Sequence, residues 1–85
     1  FVGERAEHSG FAERRDAIER ILAKLPGHFA HVLRLHYLER WSHQAIASET
    51  GENTGTIKAR IHRAKAAFRK EAAGREGELL SDVDA

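Results

Sequence analysis

Trp41 to Lys70, WSHQAIASETGENTGTIKARIHRAKAAFRK, reads as two helices joined by a tight turn, and this reading decides the fold. Ser42 offers a hydroxyl to cap a first short helix with Ala45, Ile46 and Ala47 at its apolar positions. Gly51 then supplies the residue best able to adopt the left-handed conformation that stops a helix, and Asn53 caps the next one. At about 100° per residue, Ile57, Ile61, Ala64 and Phe68 fall in one narrow stripe, the predicted buried face. Ala59, His62, Arg63, Ala66 and Lys70 lie opposite it, with Lys58 and Lys65 on one flank and Arg60 on the other.

From Ile57 to Lys70 there are six Lys or Arg and no acid, so the helix forgoes opposite-charge i, i+4 pairs worth about 0.2–0.5 kcal/mol each. A solvated face on a structural helix is the plain reading of the charge run alone. The turn chemistry in front of it favours an anionic partner, namely DNA. A helix fits the major groove, where every base pair presents a distinct pattern of donors and acceptors. Arg63 is the leading base reader, because its guanidinium can bond bidentately to guanine O6 and N7. Lys58 and His62 follow as donors, and Ala59 is small enough to approach a thymine methyl. Thr56, Arg60 and Lys65 sit nearer the flanks and are assigned to phosphates. Gly55, without a side chain, lets the helix start come close to the DNA backbone.

Working outward, Ile18, Ile21, Leu22 and Leu25 recur at helical spacing with charged residues between them, giving an amphipathic first helix from Ala12. Pro26 ends it and suits the first turn of a second helix, where its missing N–H has no partner to lose. That second helix carries Phe29, Val32, Leu33, Leu35 or His36, and Tyr37, and ends near Arg40. The expectation is an all-α, four-helix domain with a C-terminal helix-turn-helix and no strands. Residues 1–11 read as linker, 12–70 as the domain, and 71–85 as a flexible acidic tail with five acids against one Arg. Trp41 reads as a core anchor at the loop.

Eighty-five residues suffice for one small core but not for a substrate cleft with a supporting lobe, and no nucleophile triad or carboxylate pair stands out, so no enzyme is expected. The absence of Cys fits a reducing cytoplasm, and neither a signal peptide nor a membrane-length apolar run occurs. His28 and His31 share a helix face, but two ligands do not make a zinc site, so neither metal nor cofactor is expected. Opening on Phe1, the chain reads as a piece of a longer protein. Its net charge of +1 conceals a division between a basic helix and an acidic tail, and that distribution matters more than the sum.

Leu25-Pro26, Val32-Leu33-x-Leu35-x-Tyr37, Ser42-x-x-x-Ile46-Ala47, Gly51 and Gly55-Thr56-Ile57-Lys58-x-Arg60-Ile61-His62-Arg63-Ala64-Lys65 together resemble region four of bacterial sigma factors. The resemblance is greatest to the extracytoplasmic-function group and runs from about Ala17 to Lys70. Three departures bear on turn packing and promoter preference: Glu52 stands where a small apolar residue is usual, Ala45 where an acid is common, and Arg40 where Gly is common. The resemblance implies a cytoplasmic transcription-initiation module that binds the −35 promoter element and docks on the flap of RNA polymerase, with an anti-sigma factor as regulator. It supports Lys58, Ala59, His62 and Arg63 as promoter readers. It also implies backbone contacts near His43 and Gln44; for His36, phosphate contact and a plain polar surface position both stay open. Val32, Leu33 and Tyr37 are expected to divide between the core and a groove for a partner helix. A response-regulator-type output domain shares the turn pattern, but Leu25-Pro26 and Arg60-x-x-Arg63-Ala64-Lys65 favour sigma. A sigma mimic that binds only an anti-sigma protein would not need the basic reading face.

Overall fold

The computed structural model describes residues 9–75 and 79–80. They form helix α1 (Ser9–Leu22), helix α2 (Gly27–Leu33), a single π-helical turn (Arg34–Leu38), helix α3 (His43–Thr50) and helix α4 (Thr54–Ala72). Among the described residues there is no strand, so the domain is all-α with four α-helices. Residues 1–8 of the expected linker lie outside the described residues, whereas helix α1 already begins at Ser9, three residues ahead of the sequence expectation.

Local chemistry accounts for each helix boundary. Helix α1 tightens after Leu22 through two i to i−3 bonds, Lys24 N–H to the Ile21 carbonyl (2.9 Å) and Leu25 N–H to that of Leu22 (3.0 Å). Pro26 precedes the first helical residue of α2 rather than occupying its first turn. Extended there at φ −54° and ψ 145°, it accepts the N–H groups of Phe29 and Ala30 through its carbonyl. The second helix also departs from a plain α-helix running to Arg40. It widens into the π turn, closed by Glu39 N–H bonding the Arg34 carbonyl at 3.0 Å, and the chain leaves through Arg40 at φ 64°.

The helix-turn-helix follows the sequence closely. Ser42 Oγ accepts from Ala45 N–H at 3.0 Å, Gly51 ends α3 at φ 77°, and Asn53 Oδ1 accepts from Thr56 N–H at 2.8 Å. A Cβ on Gly55 would stand 3.3 Å from that same Asn53 oxygen, so this glycine also keeps the cap undisturbed.

Helix α4 is the central element, with α2 and α3 packed on it and α1 alongside. Ile57, Ile61, Ala64 and Phe68 are buried along its predicted stripe, which Ala72 extends. Ile18 and Leu22 of α1, Ala30, Val32 and Leu33 of α2, Tyr37, and Ile46 and Ala47 of α3 complete the core around them. Burying a side chain such as Phe68 or Leu22 contributes about 1.5–3 kcal/mol, so the stripe orients α4 firmly.

The described part of the tail differs from expectation. After Ala72 the chain turns through Ala73 (φ 54°) and Gly74 (φ 91°), and Leu79 and Leu80 are buried in the core. An acidic composition hid two adjacent leucines whose apolar surface outweighs the charges around them. Residues 76–78 and 81–85 lie outside the described residues.

Candidate nucleic-acid interface

The buried stripe of α4 determines what its other side presents. Lys58, Ala59, His62 and Arg63, the expected base readers, are all exposed. Gly55 and Gln44 are exposed as well, and Thr56 is half-buried with its N–H engaged by the Asn53 cap. Six cations on one helix, with its first acid at Glu71, give this face a positive field that a polyanion would neutralise.

Beside this face, the π turn, α3 and α4 enclose a cleft of about 420 Å³ lined by His36, Tyr37, His43, Lys58, Ile61, His62 and Lys65. Three of the expected phosphate contacts, His36, His43 and Lys65, thus meet two expected base readers in one concavity. The rings of His36 and His43 stack with centroids 4.8 Å apart and planes at 25°. Nδ1 of His36 lies 2.9 Å from the carbonyl oxygen of Trp41. Because a carbonyl only accepts, that nitrogen carries the proton. Burial pushes the His43 imidazole below its ordinary value, and the neighbouring His36 and Lys58 add to the effect. His43 is therefore largely neutral at pH 7 in the free domain. The half-buried Trp41 packs against the core margin as expected and also holds His36 through its backbone.

Arg60 is committed elsewhere. Its Nη1 stands 2.8 Å from Glu52 Oε1, and only 20% of its side chain is exposed. The acid at position 52, one of the departures noted in the sequence, is the signal that foretells this pair. Sequence reasoning confined to Ile57–Lys70 missed it because the acid precedes the helix.

Val32 and Leu33 do not line an open groove, and Tyr37, which borders the cleft beside α4, offers it little surface. Their exposures are 1%, 1% and 6%, so all three belong to the domain's own core. A chain this short needs those side chains internally. The apolar residues left partly open along the same segment are Phe29, Leu35 and Leu38.

No group of three or more His, Cys, Asp or Glu among the described residues is arranged to hold a metal ion. None of the described helices is long and apolar enough to cross a membrane. What the site can do chemically is bind an extended anion, with hydrogen-bond donors on the exposed side of α4 and a cleft flanked by lysines beside it.

Comparison with protein families gives a match to the family described as sigma-70, region 4, over residues 15–68. Comparisons with curated proteins and with solved structures return no match.

Proposed function

Because this chain belongs to the sigma-70 region 4 family, whose domains bind DNA and are not enzymes, we propose that it reads the −35 promoter element for an alternative sigma factor of the extracytoplasmic-function group. In this reading α4 enters the major groove, Arg63, Lys58 and His62 bond base edges, and Ala59 meets a thymine methyl. Gln44, Gly55, Thr56 and Lys65 hold the DNA backbone together with His36 and His43, while Arg60 reaches a phosphate by exchanging its Glu52 partner. The observation that carries the reading is the exposed Lys58–Ala59–His62–Arg63 face set directly against a fully buried stripe on the same helix.

Family membership also supports docking on the polymerase flap in the cytoplasm. We assign that contact to the margin formed by Phe29, Leu35 and Leu38, since Val32, Leu33 and Tyr37 are occupied in the core. An anti-sigma factor that covers the basic face or this margin would regulate the domain. Promoter reading is tested by selecting duplexes from a random pool and titrating single-base variants of the winner. A defined motif with position-dependent losses is the expected result, and uniform affinity for every duplex would reject promoter reading.

A further inference from the structure

We propose that the cleft beside α4 is a proton-loaded phosphate subsite: it takes one phosphate of the DNA backbone against His36 and His43, and takes up protons as it does so. The proposal rests on the DNA-binding reading above and adds a pH dependence to it. The geometry is specific. His36 is fixed through Nδ1 on the Trp41 carbonyl at 2.9 Å, so Nε2 is the nitrogen left to gain or lose a proton. His43 stacks on it with centroids 4.8 Å apart. Tyr37 faces the pair from the π turn, and Lys58, His62 and Lys65 face it from α4; among the described residues no lining residue is acidic.

With no carboxylate among the described residues that line the cleft, a second imidazolium would sit against the first and beside Lys58 without a lining acid to balance it. Burial and these like charges accordingly keep His43 on the neutral side of its ordinary titration. A phosphate entering the cleft reverses that balance. It supplies the missing opposite charge, and each protonated ring becomes a charge-assisted donor to its oxygens. An anion that prefers the protonated cleft must raise the imidazole pKa when it binds. Affinity therefore increases as pH falls, by up to about tenfold per pH unit for each proton taken up.

The same chemistry would suit a free phosphate ion, so the test has two arms. The 85-residue chain is titrated at fixed ionic strength with a random-sequence duplex of about 20 base pairs, and separately with inorganic phosphate, between about pH 6 and pH 8. Histidine ring resonances are followed by NMR in both arms. The expected result is at least about fivefold tighter duplex binding at the acid end, with the His36 and His43 rings titrating higher in the complex. His36→Gln with His43→Gln should remove most of the pH dependence. His28→Gln with His31→Gln, on exposed positions of α2 outside the cleft, should leave it. Should the double cleft variant not fold, the ring titrations of the unsubstituted chain still decide. Salt-dependent duplex binding that ignores pH would overturn the subsite and leave the DNA-binding reading standing; no duplex binding at any pH would overturn both. Ring pKa values raised by inorganic phosphate but not by duplex would overturn the assignment to DNA.

Discussion

Arg63 projects from the exposed side of α4, opposite a stripe in which Ile57, Ala64 and Phe68 have no measurable exposure. A side chain so placed is oriented by the core beneath it, and that orientation is what a bidentate contact with guanine requires. Arg63→Ala is expected to weaken binding to the preferred duplex by about 1–3 kcal/mol and to relax preference at one base pair. Titration against single-base variants checks this, and an equal loss on all of them would make Arg63 a phosphate contact. Arg60 differs because its guanidinium already holds Glu52 at 2.8 Å. Exchanging that carboxylate for a phosphate gains less than capturing a phosphate from water. Glu52→Gln should therefore strengthen duplex binding by about 0.2–1 kcal/mol, the range of a partly exposed ion pair, and steepen its salt dependence. Unchanged affinity and slope would mean that Arg60 faces away from the DNA.

Between elements, the turn after the π segment stores strain that the sequence announces. Arg40 adopts φ 64°, a conformation that costs an L-residue about 1–2 kcal/mol and that Gly adopts without that cost. Glycine also gives the unfolded chain more freedom, which offsets part of the gain. Arg40→Gly should raise stability by about 0.5–1 kcal/mol, read from the midpoint of urea unfolding. A lower midpoint would show that the Arg40 side chain contributes more than the strain costs. The same segment is tied to α1 by Glu19, whose carboxylate accepts from Arg34 Nη2 at 2.8 Å. That hydrogen bond, chiefly, holds the Glu19 carboxyl below its ordinary value of 4.5. The stabilisation is therefore full above that value and is lost as pH falls through the lower folded-state value. With 37% of the Glu19 side chain exposed, Glu19→Gln should cost only about 0.2–1 kcal/mol at neutral pH. The gap from the unsubstituted chain should close in acid; a pH-independent gap would point to packing instead. These elements also show what the sequence makes legible. Caps at Ser42 and Asn53, the stop at Gly51 and the α4 stripe depend on neighbours within a few residues, and all four are where local chemistry puts them. The π turn, the His36–His43 stack and the Glu52–Arg60 pair depend on how separate segments meet, which periodicity does not encode.

Among the described residues the core has sixteen buried apolar side chains, and three of them, Ala72, Leu79 and Leu80, lie beyond the segment that matches the family. Composition argued for a loose acidic tail because averaging over 71–85 dilutes two leucines among five acids. Burial is decided residue by residue, and Leu80 retains 1% of its exposure. A domain of this size has a total stability of only about 5–15 kcal/mol, so two buried leucines are a sizeable part of what holds the core together. Leu80→Ala removes buried methyl groups and opens a cavity that this small core can collapse only in part. It should cost about 2–4 kcal/mol. Because Leu80 belongs to the core and the reading face lies on the opposite side of α4, duplex affinity per folded molecule should stay within about twofold, or roughly 0.4 kcal/mol. The pair of measurements is urea unfolding and a duplex titration corrected for the folded fraction. A stability loss below about 0.5 kcal/mol would be a surface value, and would mean that the tail lies on the domain without completing it. A parallel loss of intrinsic affinity would mean instead that the tail sets the orientation of α4 as well as its stability.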